Sequence, residues 1–282
     1  MGGTPKMLYR GFSKAELDRE YAPSSMIGGD LTPYITSFAA LSAQARVNLP
    51  VQENLAYGEK AEQVLDFFPS AVEDAPLHVF IHGGYWQALS QRESAMMAPA
   101  LHENGQAFAA LNYTLAPFAR MGQMVTECRD ALLWLASQSK SLGFDPANVT
   151  LSGHSAGAHL VSMVMATSSN ELAQAGLRVR NVILISGIYD LEPISLTPVN
   201  DPLQLSKTEV HDLSPCLNLP LPGPRYRVTV AERDTSEFIR QSRDYAELLR
   251  KAGHAVSFDL QDGKNHFDIV LPSYSFLSHR AD

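Results

Sequence analysis

A serine between two glycines is the residue of this chain best suited to chemistry. It lies in the segment GHSAG, residues 153–157, after an apolar, β-rich run at 148–152 and before a run of small, helix-compatible residues at 158–166. Strand, sharp turn and helix form the context that presents a serine hydroxyl as a nucleophile. Glycine is required two positions either side because a Cβ there would collide with the neighbouring strand or helix. The pattern predicts Ser155 as the nucleophile of an acyl transfer.

A second glycine turn ends an earlier apolar run. The segment HGGYW, residues 82–86, follows the predicted strand at 77–81. Backbone N–H groups of such a turn stabilise the negative charge that develops on a carbonyl oxygen in the transition state. The sequence predicts an oxyanion hole from Gly83 or Gly84 together with Ala156, the residue after the nucleophile. A plain glycine loop is the alternative.

A nucleophilic serine needs a base and an orienting acid, which follow it in the order acid, then histidine. The apolar strand predicted at 226–230 leads into Asp234, and the one at 255–260 leads into His266. Loops at the carboxyl ends of parallel strands meet at one edge of the sheet, where open α/β sheets bind ligands. We therefore predict Asp234 as the acid and His266 as the base.

Other residues compete for these roles. Asp190 also follows a predicted strand, and Glu232 shares the loop of Asp234. Among the histidines, His82 is expected to hold the glycine turn by hydrogen bonding, with a direct catalytic role as the alternative. His154 and His159 flank the nucleophile in sequence, and we expect them to face the packing side or the first helical turn.

The remaining pattern alternates strands and helices, which predicts one domain over residues 1–282 with a mostly parallel sheet and helices on both faces. Ser236 is a candidate N-cap for the last long helix. The other predicted strands lie at 63–68, 107–113 and 182–185, and the predicted helices at 94–103, 121–142 and 236–252.

Two segments stand apart from this alternation. The first is an N-terminal helical arm, residues 1–50, with helices at 12–22 and 36–47, which could cover the site. The second is a proline-rich insert at 191–224, which is too long for an ordinary connection. We interpret the insert as a small cap over the substrate pocket, and a surface excursion without function is the alternative.

The composition indicates which classes of partner the protein binds. The 282 residues carry a net charge of −8, with basic residues scattered, which argues against nucleic acid and anionic membranes. Cys128 and Cys216 show no metal-ligand spacing and are expected to be reduced packing residues. No cofactor or metal is predicted, and the expected partner is a small-molecule substrate. No apolar run follows residues 1–6, so a cytoplasmic protein is expected. The sequence leaves open whether the protein forms a homodimer.

Two motifs of this chain together resemble those of a known protein family. Residues 82–87, HGGYWQ, and 153–160, GHSAGAHL, resemble the kynurenine formamidase (arylformamidase) family of α/β-hydrolases. Residues 186–193 and 236–242 are similar to further stretches of that family. Hormone-sensitive-lipase-like esterases share the first turn but usually have a third glycine where Tyr85 stands. The resemblance runs from about residue 57 to 266 and does not extend to the insert at 195–224.

The resemblance implies an α/β-hydrolase fold and cleavage of N-formyl-L-kynurenine to L-kynurenine and formate through an acyl-enzyme. Tyr85 and Trp86 stand beside the oxyanion turn and could contact an aromatic substrate, although Trp86 could equally pack beneath the turn. A carboxylesterase or amidase acting on another small ester or amide is the second hypothesis. A non-catalytic binding protein is the third, and it has no need of Ser155, Asp234 and His266 together.

Overall fold

An eight-stranded sheet forms the centre of the molecule. The computed structural model describes residues 7–271, and the sheet order is β10-β9-β8-β7-β5-β6-β4-β3. Neighbours are parallel except at β4, which runs antiparallel to both β3 and β6. A separate hairpin joins β1 and β2. The strands are β1 Met7–Tyr9, β2 Phe12–Ser13, β3 Gln52–Ala56, β4 Val64–Phe68, β5 Ala75–Ile81, β6 Ala107–Leu111, β7 Phe144–His154, β8 Val179–Ile185, β9 Arg225–Ala231 and β10 Val256–Gln261.

Helices cover both faces of this sheet. Alternate residues of β5 point into two separate cores, Val79 into one and Phe80 into the other. Helices α4, α5 and α9 contribute to the first core, and α2 and α3 to the second. The helices are α1 Lys14–Glu20, α2 Thr32–Asn48, α3 Ala98–Glu103, α4 Met121–Leu142, α5 Ala156–Gln174, α6 Glu192–Ser195, α7 Asn200–Leu203, α8 Lys207–Asp212 and α9 Ser236–Lys251.

Helix α4 shows how sequence period produces this layering. Its apolar residues recur every three or four positions, so they form one stripe that is buried against the sheet. The helix ends at Gly143, whose φ of 73° is the left-handed conformation that closes many helices. Cys128 lies in the stripe, and neither it nor Cys216 is in a disulfide, as expected. The buried apolar residues of the stripe include Met124, Val125, Cys128, Leu132 and Leu135.

The α/β-hydrolase fold with a mostly parallel sheet is confirmed. Strand β3 was not predicted, because its sequence QENLA is largely exposed at the sheet edge and has no apolar run. The prediction of Ser236 as an N-cap was wrong: Thr235 holds that position and Ser236 is the first residue of α9. In the span from Met7 to Leu271, no helix is long and apolar enough to cross a membrane. The expectation about residues 1–6 lies outside the described residues.

The six parallel strands, β5 to β10, end at the same edge of the sheet, and five of them precede loops that carry candidate site residues. Because β5, β7, β8, β9 and β10 run in the same direction, the loops that follow them are brought together there. The arm supplies the β1–β2 hairpin, α1, a 3-10 helix at Pro23–Ile27 and α2. The insert folds into α6, α7 and α8, each four to six residues long. The loops after the five strands therefore define where chemistry can occur.

Candidate active site

Ser155 occupies a strained turn between β7 and α5. Its φ of 53° and ψ of −118° lie in a region that residues with a Cβ rarely adopt. The turn is fixed from both sides, since the Ser155 N–H donates to the Ile185 carbonyl at 2.8 Å and the Ser155 carbonyl accepts from Ala158 N–H at 3.0 Å. The serine side chain is thereby held at the start of the helix, at the shared edge of the sheet.

The flanking glycines have the steric role that the sequence suggested. A Cβ at Gly153 would overlap the backbone of Gly157. A Cβ at Gly157 would overlap the carbonyl oxygen of Ile81, the last residue of β5. Strand and helix therefore approach each other too closely for any larger residue at these two positions.

The glycine turn after β5 lies against this elbow. A Cβ at Gly83 would come within 2.9 Å of the His154 carbonyl oxygen and 3.1 Å of the Ser155 Cβ. The next three residues all have left-handed backbones, with φ of 92° at Gly84, 52° at Tyr85 and 60° at Trp86. Such strain in non-glycine residues is concentrated at functional sites.

Ala156 is the first residue of α5, and the first N–H groups of a helix have no partner within the helix. Its amide and those of the glycine turn are the groups that the sequence predicted for an oxyanion hole. The Ala156 amide follows Ser155, whose backbone is held by hydrogen bonds to Ile185 and Ala158, and Gly83 lies against the same turn.

His82 supports the turn from below. Its Nδ1 lies 2.9 Å from the Gly83 carbonyl oxygen, so this nitrogen donates, and its ring stacks on Tyr113 with centroids 4.5 Å apart. Burial lowers the pKa of His82. The histidine is engaged with the turn, the position that sequence reasoning favoured over a direct catalytic role.

His266 and Asp234 form a buried pair. The His266 Nδ1 lies 2.8 Å from the Asp234 Oδ2, and the exposed fractions of the two side chains are 4% and 0%. The other carboxylate oxygen accepts from the Thr235 N–H at 3.1 Å. A carboxylate fixed in this way orients the imidazole and selects the tautomer that carries its proton on Nδ1.

The competing acids are engaged elsewhere. Asp190 accepts a hydrogen bond from the Tyr9 hydroxyl at 2.7 Å, in the N-terminal arm. Glu232 is exposed and accepts from the Gly263 N–H at 2.8 Å. The structure therefore brings Asp234 to the histidine and places its two rivals against other partners.

Two aromatic neighbours of His266 were not predicted as site residues. The His154 Nε2 donates to the His266 carbonyl at 2.8 Å, and the two rings lie 4.9 Å apart. Burial, and then the nearby His266, hold the pKa of His154 well below its ordinary value, so His154 is neutral. Phe238, in the first turn of α9, meets the His266 ring edge-on at 4.7 Å. Sequence could flag Phe238 only as an apolar residue one turn after the acid.

The two aromatics beside the glycine turn differ. Trp86 is fully buried and meets His159 edge-on at 5.1 Å, which matches the packing alternative. Tyr85 is half-buried, and its hydroxyl donates to the Tyr21 carbonyl at 2.7 Å. Burial, and then the charge of Asp234, raise the pKa of Tyr85. Tyr85 is therefore the remaining aromatic candidate for substrate contact.

The insert is attached to the segment after the glycine turn and to helix α5. The Gln87 amide donates to the Val199 carbonyl at 2.8 Å, and the His159 Nε2 donates to the Leu213 carbonyl at 2.8 Å. Burial lowers the pKa of His159 to about 4, so it is neutral at neutral pH. Between residues 7 and 271, no three His, Cys, Asp or Glu side chains are grouped so that they could hold a metal ion.

Comparison with known proteins gives the family. The BD-FAE family model matches residues 65–211. A kynurenine formamidase of Danio rerio is 32% identical over 93% of this chain and 92% of its own length. The chain belongs to the kynurenine formamidase family of α/β-hydrolases. A kynurenine formamidase of Drosophila melanogaster is 35% identical over 77% of this chain and 75% of its own length.

The likeness to the formamidase family is not confined to the two motifs, because the alignment with the Danio rerio protein spans 93% of the chain. A solved structure of a candidate thioesterase from Silicibacter sp. TM1040 superposes with a TM-score of 0.79 at 27% identity, over 93% of this chain and 98% of that one. This member of the formamidase family is a hydrolase of small amides or esters.

Proposed function

We propose that this protein is a serine hydrolase in which Ser155 is the nucleophile, His266 the base and Asp234 the acid that orients it. The observation that carries the proposal is the buried 2.8 Å contact between His266 Nδ1 and Asp234 Oδ2, at the sheet edge that also carries the strained serine. Support comes also from the order of the three residues along the chain, serine, acid, histidine.

The reaction then follows in two halves. Ser155 Oγ attacks the acyl carbon while His266 Nε2 takes its proton, and Asp234 stabilises the imidazolium that forms. The N–H groups of Ala156 and of Gly83 or Gly84 stabilise the oxyanion. His266 gives the proton to the leaving nitrogen or oxygen as that bond breaks, leaving an acyl-serine. A water molecule then gives a proton to His266 as it attacks the acyl-serine. His266 passes that proton to Ser155 Oγ as the acyl–oxygen bond breaks, which releases the carboxylic acid product and free Ser155.

The substrate we propose is N-formyl-L-kynurenine, which yields formate and L-kynurenine in a step of tryptophan catabolism. The Danio rerio relative, which aligns with 93% of this chain, is a kynurenine formamidase. An anilide nitrogen leaves more readily than an alkyl amide nitrogen, so machinery of the esterase type suffices. The half-buried ring of Tyr85, beside the oxyanion turn, is available to a substrate aryl group. No cofactor enters this scheme, and we place the enzyme in the cytoplasm.

A second candidate is a carboxylesterase or amidase that acts on another small ester or amide. It is supported by the likeness to the candidate thioesterase structure, in which 27% of the aligned residues are identical. The same Ser155, His266 and Asp234 would perform that reaction, because an ester or thioester carbonyl needs the same nucleophile and oxyanion donors.

Relative specificity separates the two candidates. We expect kcat/KM of the purified protein to be higher for N-formyl-L-kynurenine than for p-nitrophenyl acetate, with formate and L-kynurenine released in equal amounts. Ser155→Ala controls for contaminating hydrolases and should abolish both activities. Efficient cleavage of the ester without turnover of N-formyl-L-kynurenine would favour the second candidate.

A further inference from the structure

Two consecutive carbonyl groups of the N-terminal arm join separate parts of the site. The Tyr85 hydroxyl, beside the oxyanion turn, donates to the Tyr21 carbonyl at 2.7 Å. The Thr235 hydroxyl, next to Asp234, donates to the Glu20 carbonyl at 2.6 Å. The end of α1 is thus a bridge between the oxyanion turn and the acid loop.

Glu20 of the arm also caps helix α9, which follows Asp234. The first N–H groups of any helix lack partners within it, and the N-cap residue of α9, Thr235, makes no side-chain cap bond to α9. The Glu20 carboxylate fills that role from over two hundred residues away, accepting from Glu237 N–H at 3.1 Å and from the Ser236 hydroxyl at 2.7 Å. A negative charge at a helix N-terminus is also stabilised by the helix dipole.

The arm reaches the base as well. Asn265, which precedes His266, donates from its amide to the Tyr34 hydroxyl at 2.9 Å. The fully buried Tyr21 lies 6.0 Å from Phe238, the ring that packs edge-on against His266. The arm therefore contacts the oxyanion turn, the acid loop and the base loop.

We propose that Glu20 is a positioning residue, which holds the start of α9, and with it Asp234, in register with the oxyanion turn. Asp234 is two residues before the first residue of α9, so a shift of that helix end displaces the carboxylate that orients His266. A displacement of about 1 Å at a reacting group is enough to lower a rate substantially. This inference rests on the proposed serine mechanism.

Glu20→Ala tests the inference, with Glu20→Gln as the conservative variant, because a glutamine oxygen can still accept both bonds. Ser13→Ala is the matched control: it removes the capping box at the opposite end of α1, away from the site. We would measure the rate at which an organophosphorus reagent labels Ser155, along with kcat, KM and Tm. Glu20→Ala should lower the labelling rate and kcat about tenfold, equivalent to about 1.4 kcal/mol, with KM changed less than twofold.

Rescue distinguishes positioning from general stability. Glu20→Gln should recover most of the labelling rate, and Ser13→Ala should lower Tm while leaving that rate unchanged. A wild-type labelling rate in Glu20→Ala, or an equal loss in Ser13→Ala, would overturn the inference. If Glu20→Ala does not fold, Thr235→Val, which removes only the bond to the Glu20 carbonyl, must show the loss of kcat. Absence of Ser155 labelling in the wild-type protein would instead refute the proposed serine mechanism.

Discussion

The loops at the sheet edge are held differently from two other segments, the N-terminal arm and the proline-rich insert. Two sheet-edge loops, residues 82–86 and 153–157, depend on positive-φ backbone and on glycines where an added Cβ would overlap backbone atoms. The other two, residues 231–236 and 263–267, are joined by the hydrogen bond between Asp234 and His266. The arm, residues 7–50, and the insert, residues 191–224, are attached through scattered hydrogen bonds such as Tyr85 to Tyr21 and His159 to Leu213. Substitutions in the loops should therefore lower kcat and the free energy of unfolding strongly. Substitutions in the arm and the insert should lower them less.

The largest expected contrast is between two aspartates. Asp234→Asn should lower kcat by about 10⁴-fold, because an amide stabilises the wrong imidazole tautomer. Asp190, in the loop after β8, accepts a hydrogen bond from Tyr9 of the arm and is the control. Asp190→Asn should cost less than about tenfold in kcat and should act mainly on Tm, since it weakens attachment of the arm. The reverse ranking in steady-state kinetics would show that the acid follows β8 instead of β9.

A pair of glycines gives the next contrast. Gly157→Ala forces a Cβ into the Ile81 carbonyl, so the free energy of unfolding should fall by about 3 kcal/mol or more. Gly223, in the insert, has no atom within 4 Å of an added Cβ, and Gly223→Ala should change stability by less than about 0.5 kcal/mol. Urea denaturation measures both. A neutral Gly157→Ala would mean that the elbow is less tightly packed than described.

Acid should destabilise the protein through its buried histidines. Burial lowers the pKa of His78 and of His159 to about 4, so both are neutral when folded and bind protons near pH 6.5 when unfolded. The unfolded state binds more protons between these values, and stability is lost as pH falls from about 6.5 towards 4, by up to about 1.4 kcal/mol per unit for each group.

Denaturation at several pH values tests this expectation. His159→Gln should reduce the slope of unfolding free energy against pH. An unchanged slope in His159→Gln would contradict the assignment of His159 as a neutral buried group.

The smallest expected effect concerns substrate selection by Tyr85, where the glycine turn contacts the arm. Tyr85→Leu should reduce the preference for aryl over alkyl leaving groups about threefold to tenfold, whereas Tyr85→Phe, which keeps the ring, should retain it. Short acyl groups, formyl and acetyl, should be preferred over octanoyl. Comparison of kcat/KM across such esters and amides checks this, and a preference for octanoyl esters would contradict it.

The sequence predicts the sheet-edge loops better than the contacts that the arm makes with them. The elbow, the glycine turn, Asp234 and His266 are readable because each obeys a local rule of strand, turn and loop order. The contacts of Phe238 and of Glu20 are not readable, since they join residues far apart in sequence and depend on how α1 and α9 pack. The complete burial of Trp86 was likewise one of two outcomes that the motif allowed. Strand β3 has no apolar pattern to announce it.

The central claim, that Ser155 is the nucleophile, is tested most directly by labelling. Protein treated with an organophosphorus reagent should gain the mass of one adduct, and peptide mapping should locate it on Ser155, with loss of hydrolysis in proportion. Ser155→Ala should gain no adduct and should lose kcat by about 10⁶-fold while remaining folded. An adduct on another residue, or substantial hydrolysis by a folded Ser155→Ala protein, would contradict the account.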